Sequence, residues 1–287
     1  HSFTPKAGLV VAVAAFLVRI PVRVHTFTGL IFPTSKGLKR KLLIFIDRLI
    51  CCLNTHIIPE GRGVMNDLVE LANCPQQKMT IIGYGNIAGV DINYFIMKDY
   101  IQKEEGILKF CFIGRLNRDK GVQELVNAFV RLYDINSKVR LLIAGGEDKE
   151  NPISPQILCE IHSHQAIEYL GHINDVRLAL AETDVLVLPS YREGFPNVVL
   201  QAGAMSKAAI VTNVNGSNEI IIDGVNGFIV DPYSEQQLLD SMLHVTTLPK
   251  DKLKDMGINA RKRIEDCYEQ EFYRRELIKF YSQIICD

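Results

Sequence analysis

Short apolar segments alternate with longer amphipathic segments along this chain of 287 residues. A short, bounded apolar run is typical of a buried strand, and a longer stretch with helical periodicity favours a helix. Because successive parallel strands need a returning connection between them, the alternation predicts an α/β protein with mostly parallel sheets. Strands are predicted at 22–25, 55–59, 79–82, 110–113, 139–144, 166–169, 185–189, 209–212 and 227–230. Helices are predicted at 7–18, 36–52, 64–71, 122–133 and from residue 234 onward.

The chain is long enough for two modest domains or one large one. Its apolar content of 47% and charged content of 23% exclude a disordered chain, and its net charge of −1 gives no general attraction for nucleic acid. A glycine-rich stretch without periodicity, 83–91, is predicted to be the linker. We predict a partial first domain with its linker over 1–97, a second domain over 98–268, and a C-terminal helix over 269–287 that packs back toward the first domain.

The cysteines and the apolar stretches indicate the cellular compartment of the protein. Seven cysteines are scattered without the paired spacing of metal ligands, a pattern typical of a reduced, cytoplasmic protein. The apolar stretch 8–18 is too short to span a bilayer and is followed by Arg19 and Pro21, so we expect a buried helix. No signal peptide is visible, and the chain begins at His1 without a methionine, so we expect that its natural beginning is missing.

One polar loop follows the predicted strand 110–113 and has the sequence Gly-Arg-Leu-Asn-Arg-Asp-Lys-Gly. Arg115 and Lys120 flank its turn, and open α/β sheets bind ligands at the carboxyl ends of their strands. A guanidinium offers a fork of donors and an ammonium offers a compact charge, and the two together suit a diphosphate. The alternative is a solvated basic loop in which Asp119 caps the next helix.

A second loop follows another predicted strand and leads into the sequence Glu-Gly-Phe-Pro-Asn-Val. Pro196 suits the first position of a helix, because its missing N–H costs nothing there. The N–H groups of Asn197 and Val198 then point outward at a helix end that attracts anions. Gln201 lies about one turn further along the same face. Together with Glu193 in the loop, this helix start suits a nucleotide-sugar, which carries both phosphates and hydroxyls.

The two loops together resemble those of the retaining family 4 glycosyltransferases, enzymes with the two-Rossmann-domain GT-B fold. The resemblance rests on Gly-Arg-x-x-x-x-Lys-Gly after one strand and on Glu-Gly-Phe-Pro-Asn before a helix. Further matching segments lie at 141–147, 169–172, 181–190, 216–219 and 224–228. They cover the whole second domain and, more loosely, the first. The resemblance implies a GT-B protein whose first domain, incomplete here, lies on the acceptor side and whose second domain binds the nucleotide-sugar donor.

The resemblance implies a role for each matching residue. Arg115 and Lys120 match the pair that binds the nucleotide diphosphate and stabilises its charge as it leaves. Glu193 matches the first acid of the family's Glu-x7-Glu motif, which holds a hydroxyl of the donor sugar. The second acid, which bonds the ribose, is replaced by Gln201, so a charge-assisted hydrogen bond becomes a neutral one that is roughly 1 kcal/mol weaker. The residues predicted to contact the donor are Gly114, Arg115, Lys120, Glu193, Gly194, Phe195, Pro196, Asn197, Val198, Gln201, Gly216 and Glu219.

Two further features extend this predicted site. His25 ends a predicted strand, and the resemblance implies a histidine that faces the donor; the alternative is a histidine bonded to local backbone. The turn 215–217 is expected to present N–H donors to the phosphates or the sugar with Glu219 nearby, or else to be an ordinary strand-to-helix turn. The predicted catalytic residues are Arg115, Lys120, Glu193 and His25.

The implied activity is transfer of a hexose or N-acetylhexosamine from a UDP- or GDP-linked donor to an acceptor hydroxyl, with retention. The family is thought to react on one face of the sugar, with a donor phosphate oxygen helping to deprotonate the acceptor, so we expect no enzymic nucleophile. We expect no bound cofactor, and no metal ion, because the chain contains no Asp-x-Asp. The resemblance places such an enzyme in the synthesis of bacterial surface polysaccharide.

The helix predicted at 36–52 bears on the partners of such an enzyme, because it combines lysines and arginines with large apolar residues. The interpretation that this pattern favours is an ordinary core helix with a solvated basic end. The alternative is docking on anionic lipid headgroups, which suits a glycan or lipid-linked acceptor and a peripheral position at the inner face of the membrane.

Three alternatives remain. The family's first domain begins with a strand and a glycine-bearing loop, and nothing upstream of His1 supplies them, so the chain is alternatively a fragment that binds a nucleotide-sugar without catalysis. Another GT-B enzyme, such as a nucleotide-sugar epimerase, is the second alternative. A nicotinamide-dependent dehydrogenase, based on the glycines at 83–89, is disfavoured because their spacing departs from the dinucleotide fingerprint and no convincing helix follows.

Overall fold

In the computed structural model, which describes residues 1–96 and 106–286, the chain forms two compact units. The first unit comprises His1–Gly89, Arg192–Pro196 and Cys267–Asp287, and the second comprises Val90–Tyr191 and Asn197–Asp266. The boundary predicted between residues 97 and 98 lies outside the described residues.

The first unit is built around a three-stranded parallel sheet. Its elements in chain order are β1 (Ser2–Phe3), α1 (Pro5–Leu17), β2 (Val24–Phe27), α2 (Gly37–Leu53), β3 (His56–Pro59) and α3 (Arg62–Glu70). The strand order is β1-β2-β3, so the central strand is β2. Every residue of β2 is buried, as expected for a parallel strand that is covered on both faces.

Alternate residues of the strands supply two hydrophobic clusters, because successive side chains point to opposite faces of a sheet. Val24 and Ile58 pack against the C-terminal helix Gln270–Cys286 through Phe280 and Ile284. The other cluster comprises Phe27, Leu30, Phe32, Ile50, Cys51, Ile57, Val64, Leu68, Ala72 and Cys74. The C-terminal helix is therefore part of the first unit's core.

The strand predicted at 79–82 is wrong. Met79 forms only an isolated bridge with Ile57. The chain then turns through Gly83 at φ 58° and Gly85 at φ 111°, left-handed conformations that leave the extended region. The segment therefore lies beside β3 at this one bridge and does not extend the sheet as a strand.

The stretch 8–18 forms helix α1 as predicted, but the expectation that it is buried is wrong. Only Gly8 and Ala12 of this helix are buried, whereas Val10, Phe16 and Leu17 are exposed. Gly8 and Ala12 are one turn apart, so they form a narrow stripe of small residues that lets the helix approach the sheet closely. Leu9 packs partly against the core, and most of the other large apolar residues of the helix are exposed. No helix within the described residues combines the length and the apolar composition that a membrane span needs.

The second unit contains most of the remaining elements. In chain order these are β4 (Leu108–Ile113), α4 (Val122–Ile135), β5 (Val139–Ala144), α5 (Pro155–Ser163), β6 (Ile167–Gly171), α6 (Val176–Glu182), β7 (Val185–Leu188), α7 (Asn197–Ala204), β8 (Ala208–Thr212), α8 (Ser217–Ile220), β9 (Gly227–Val230), α9 (Glu235–Thr247), α10 (Lys250–Cys267) and α11 (Gln270–Cys286), of which α11 belongs to the first unit. The six strands are parallel and lie in the order β6-β5-β4-β7-β8-β9. The predicted α/β class with parallel sheets is confirmed.

The strand order reverses between β4 and β7. From β4 the chain runs outward to β5 and β6, and it then returns to β7 and continues to β8 and β9. β4 and β7 are hydrogen-bonded neighbours, with Phe110 paired to Val185. The connections that leave these two strands diverge, which opens a crevice at their carboxyl ends, and open α/β sheets bind ligands at such a switch point.

Candidate functional site

The loop 114–121 leaves β4 at the switch point and is anchored on the end of β5. The Gly114 N–H donates to the Ala144 carbonyl at 2.9 Å, and the Leu116 N–H donates to the Gly146 carbonyl at 2.9 Å. Gly145 has φ 144°, and a Cβ at this position would overlap the carbonyl oxygen of Gly114. The two strand ends therefore approach so closely that glycine is required at position 145.

Arg115 projects from this loop, and its side chain is 73% exposed. Its Nη1 lies 3.2 Å from Oδ2 of Asp148, which also accepts from Nδ2 of Asn117 at 3.0 Å. The hydrogen bond from Asn117, followed by that from the backbone N–H of Glu150, holds the pKa of Asp148 below its usual range. Because the guanidinium itself is largely exposed, this ion pair restrains it only weakly.

Lys120 ends a short 3₁₀ turn, Arg118–Lys120, and is half-buried. The buried Asn117 caps this turn by accepting the Lys120 N–H on Oδ1 at 3.1 Å. Gly121 follows at φ 65° and is the N-cap of α4, with no side-chain cap. The alternative in which Asp119 caps this helix is therefore wrong.

The loop after β7 joins the loop after β4. The Tyr191 N–H donates to the Asp119 carbonyl at 2.7 Å. A Cβ on Gly121 would overlap the carbonyl oxygen of Pro189, so this glycine packs directly on the end of β7. The hydroxyl of Thr212, at the end of β8, donates to the Ser190 carbonyl. Folding thus brings together the two loops that sequence analysis singled out separately.

Helix α7 begins at Asn197, one residue later than predicted, so Pro196 precedes the helix. Val199 and Leu200 are buried in the core of the second unit and hold the helix in place. Gln201 is half-buried and lies four residues after Asn197, which places both on one face of the helix.

The predicted turn 215–217 leads from β8 into the single-turn helix α8, with Gly216 at φ 73°. Arg263 of α10 holds α8 in place, with Nη2 donating to the Glu219 carbonyl at 2.6 Å and Nε to the Ile220 carbonyl at 2.8 Å. The side chain of Glu219 is half-buried. Two hydrogen bonds from α10 thus hold the backbone of α8, which directly follows the turn.

Two buried serine hydroxyls lie near these loops and were not predicted from the sequence. Ser190 follows β7 and Ser217 begins α8, and both residues are fully buried. Neither hydroxyl oxygen has a hydrogen-bond partner among the described residues. A buried unsatisfied hydroxyl is unusual and marks a place where water or a ligand group completes the bonding. No sequence pattern distinguishes these serines from ordinary loop serines.

The loop Arg192–Pro196, which carries Glu193, packs with the first unit. Gly194 lies against Gly29 and against the carboxylate of Glu60. Phe195 is buried, and its ring centroid lies 5.4 Å from that of Tyr268. The four predicted residues from Glu193 to Pro196 thus belong to the first unit, whereas Arg115, Lys120, Asn197, Val198, Gln201, Gly216 and Glu219 belong to the second.

His25 lies inside β2, because this strand spans Val24–Phe27 rather than 22–25. Its ring is 1% exposed and lies directly beneath Gly8 of α1. Nδ1 lies 2.9 Å from Oγ of Ser2, and the ring contacts that of Phe27 with centroids 4.6 Å apart. Burial lowers the pKa of His25 to about 4, so the ring is neutral at neutral pH. This position gives no support to a donor-facing role.

Comparison with known proteins assigns the chain to a family. The family model described as "Glycosyl transferases group 1" matches residues 96–263. The chain belongs to this glycosyltransferase family. It is 28% identical, over 99% of this chain and 76% of the relative, to the capsular polysaccharide biosynthesis glycosyltransferase CapM of Staphylococcus aureus. It is 30% identical, over 99% of this chain and 77% of the relative, to the N,N'-diacetylbacillosaminyl-diphospho-undecaprenol alpha-1,3-N-acetylgalactosaminyltransferase of Campylobacter jejuni.

Solved structures similar to this glycosyltransferase show the same fold. Anabaena HepE in complex with UDP and glucose superimposes with a TM-score of 0.82 at 18% identity, covering 98% of this chain and 77% of that chain. The sucrose-phosphate synthase of Thermosynechococcus elongatus superimposes with a TM-score of 0.83 at 18% identity, covering 100% and 73%. The predicted GT-B architecture with two Rossmann-like units is confirmed.

Proposed function

We propose that this glycosyltransferase is a retaining, metal-independent enzyme of family 4 that moves a hexose or N-acetylhexosamine from a UDP- or GDP-linked donor to an acceptor hydroxyl. The relatives named for capsule synthesis and for a diphospho-undecaprenol acceptor support a role in bacterial surface polysaccharide synthesis, with a glycan or lipid-linked acceptor. The observation that carries the proposal is the union of the β4 and β7 loops at the switch point of the second unit, where the β4 loop carries both Arg115 and Lys120.

The diphosphate is assigned to Arg115 and Lys120. Arg115 presents an exposed guanidinium, and Lys120 stands directly before the glycine that packs on Pro189. As the bond between the anomeric carbon and the diphosphate breaks, negative charge grows on the phosphate oxygens. Two cations held at the carboxyl end of the sheet oppose that charge, which is the contribution that a metal ion makes in other transferases.

Backbone groups of the second unit complete the donor contacts. Helix α7 begins at Asn197 and Val198, and the backbone N–H groups at the start of a helix favour an anion. The turn at Gly216 offers further N–H donors. Gln201 is assigned to the ribose hydroxyls, since an amide both accepts and donates, and Glu219 lies one turn beyond Gly216.

The transfer step needs no nucleophilic side chain in this proposal. The acceptor oxygen bonds to the anomeric carbon on the face that the diphosphate leaves, and the acceptor proton passes to an oxygen of the departing phosphate. Glu193 holds a hydroxyl of the donor sugar, and the residues Gly194, Phe195 and Pro196 form the loop that carries it. His25 is left out of the reacting groups because its ring is buried beneath α1.

Calorimetric titration with UDP, GDP and ADP tests the donor class. We expect either UDP or GDP to bind at least about tenfold more tightly than ADP, a difference of about 1.4 kcal/mol. Product analysis with the corresponding nucleotide-sugars then distinguishes transfer to an acceptor from epimerisation and from binding alone. No binding of any of the three nucleotides would contradict the proposal.

Helix α2 supports the proposed contact with the membrane. Leu38, Leu42 and Phe45 form one exposed stripe at the spacing of a helix face, and they are 84%, 57% and 62% exposed. At helical spacing the exposed residues Lys41 and Arg48 flank this stripe, with cations placed to meet lipid phosphates. An apolar stripe bordered by cations is typical of a helix that lies in the interface of an anionic bilayer, where a lipid-linked acceptor would be found.

Vesicle sedimentation tests this contact. The double variant Leu42→Asp and Phe45→Asp is expected to lower binding to phosphatidylglycerol vesicles at least about tenfold, because it places charge on the exposed apolar stripe that would enter the bilayer interface. Ile278→Asp, at an exposed position of α11, is the matched control and should bind like the wild type. Equal binding of wild type to vesicles of neutral phosphatidylcholine would argue against the electrostatic part of the contact, and an unaffected double variant would argue against the surface itself.

A further inference from the structure

Glu60 is a buried acid that neither the sequence motifs nor the proposed donor contacts use. It follows β3 directly and is only 5% exposed. Its backbone is fixed on both sides, because its N–H donates to the Phe27 carbonyl at 3.1 Å and its carbonyl accepts the Asn86 N–H at 2.6 Å. A carboxylate is costly to bury, so its presence at this position needs a reason.

The carboxylate of Glu60 packs on the loop that carries Glu193. If Gly194 carried a Cβ, that atom would overlap Oε2 of Glu60 and would lie 2.7 Å from the backbone nitrogen of Gly29. From the opposite side, a Cβ on Gly29 would lie 3.1 Å from the Cα of Gly194. Gly194 is therefore held between the backbone of Gly29 and the side chain of Glu60, within the first unit.

Phe195, the next residue of the loop, is also closely packed. A Cβ on Gly85 would lie 2.7 Å from the Glu60 carbonyl oxygen and 2.8 Å from the ring of Phe195. The side chain of Glu60 thus lies against Gly194. Its carbonyl oxygen lies beside Gly85, which also lies beside the ring of Phe195. A shift of the loop at Gly194 toward Glu60 would displace the Glu60 side chain.

We propose that Glu60 is a positioning residue: its side chain fixes the backbone at Gly194 and thereby sets the direction in which Glu193 leaves the loop. The inference rests on the role given above to Glu193 in holding the donor sugar. Glu60 acts through the loop and not on the donor itself. Displacing a substrate-positioning group by about 1 Å lowers the reaction rate by as much as 100-fold. A rigidly held loop around Glu193 therefore matters to catalysis.

A double-mutant cycle tests the proposal. Glu60→Ala is expected to lower kcat about 10- to 100-fold while the affinity for the nucleoside diphosphate stays within about twofold, because Arg115 and Lys120 belong to the second unit. In the Glu193→Ala background, Glu60→Ala should change kcat less than about threefold, because the group it positions is already gone. Glu70→Ala, at an exposed acid of α3, is the matched control and should leave kcat unchanged.

A structural role alone would give a different pattern. It would lower kcat by the same factor with and without Glu193, and that outcome would overturn the proposal, as would a Glu60→Ala enzyme with kcat within twofold of the wild type. If Glu60→Ala melts below the assay temperature, Gly194→Ala displaces the same contact from the other side and should show the same dependence on Glu193. Sugar transfer by the wild-type chain tests the proposed function, whereas the cycle tests only the role of Glu60.

Discussion

Replacing Lys120 by alanine is expected to lower kcat for sugar transfer about 10²- to 10³-fold, the usual result of removing one preorganised group that stabilises a developing negative charge. In the proposed mechanism, the ammonium opposes charge that appears on the diphosphate as the sugar leaves. The loss should therefore fall on kcat more than on donor affinity. The 3₁₀ turn Arg118–Lys120 should keep its conformation, because the hydrogen bond that caps it runs from the backbone N–H of Lys120 to Asn117 and does not involve the lysine side chain.

Steady-state kinetics with the donor identified by titration, together with calorimetry of the nucleoside diphosphate, provides the measurement. Lys138→Ala is the matched control, since Lys138 is an exposed lysine of the same unit on the connection between α4 and β5. Its kcat should equal that of the wild type. If Lys120→Ala kept kcat within about threefold of the wild type, the assigned role would be untenable.

Replacing Gly121 by alanine is expected to destabilise the second unit by about 2–5 kcal/mol, the sum of a left-handed conformation and an overpacked contact. Gly121 has φ 65°, which L-residues adopt only at a cost. The added Cβ would also overlap the carbonyl oxygen of Pro189, a backbone atom that cannot rotate away. Either the start of α4 or the end of β7 must move, and both movements displace Lys120 or Tyr191.

Urea or thermal unfolding of the full chain measures this effect. Gly224→Ala separates the two causes, because Gly224 has φ 71° but nothing within 4 Å of an added Cβ. It should lose about 1–2 kcal/mol, the conformational part alone. Calorimetry should also show weaker nucleotide binding for Gly121→Ala and normal binding for Gly224→Ala. Equal loss of stability in the two variants would show that the contact with Pro189 does not matter.

Much of the second unit was predictable from local sequence. The strands predicted at 139–144 and 227–230 coincide with β5 and β9 residue for residue. Strands of a sheet covered on both faces are continuous apolar runs, and that signal is contained in a few neighbouring residues. The first unit was less predictable, since 79–82 carries the same kind of apolar run and makes only one bridge. Whether such a run pairs depends on where the chain goes next, and Gly83 and Gly85 turn it away.

The chemistry of the predicted site was also local, but its assembly was not. Arg115, Lys120 and the start of α7 were predicted as site residues because their residue types and order are characteristic. Asp148, Ser190, Ser217 and Glu60 had no such signal, because their meaning depends on neighbours that are remote in sequence. His25 shows the converse: its position near a strand end agreed with a role at the donor, and only the packing of Gly8 on its ring revealed its burial.

The order of strands and helices predicted the α/β class, and the residue types and spacing of two polar loops carried the resemblance to glycosyltransferases. These properties follow from periodicity and side-chain chemistry over short stretches of chain. The union of the 114–121 loop with the end of β7, and the packing of Gly194, the residue after Glu193, against Gly29 and Glu60, were decided only by folding. Both depend on contacts between residues far apart in the chain, made possible by glycines whose missing Cβ atoms leave room for a neighbouring backbone or carboxylate.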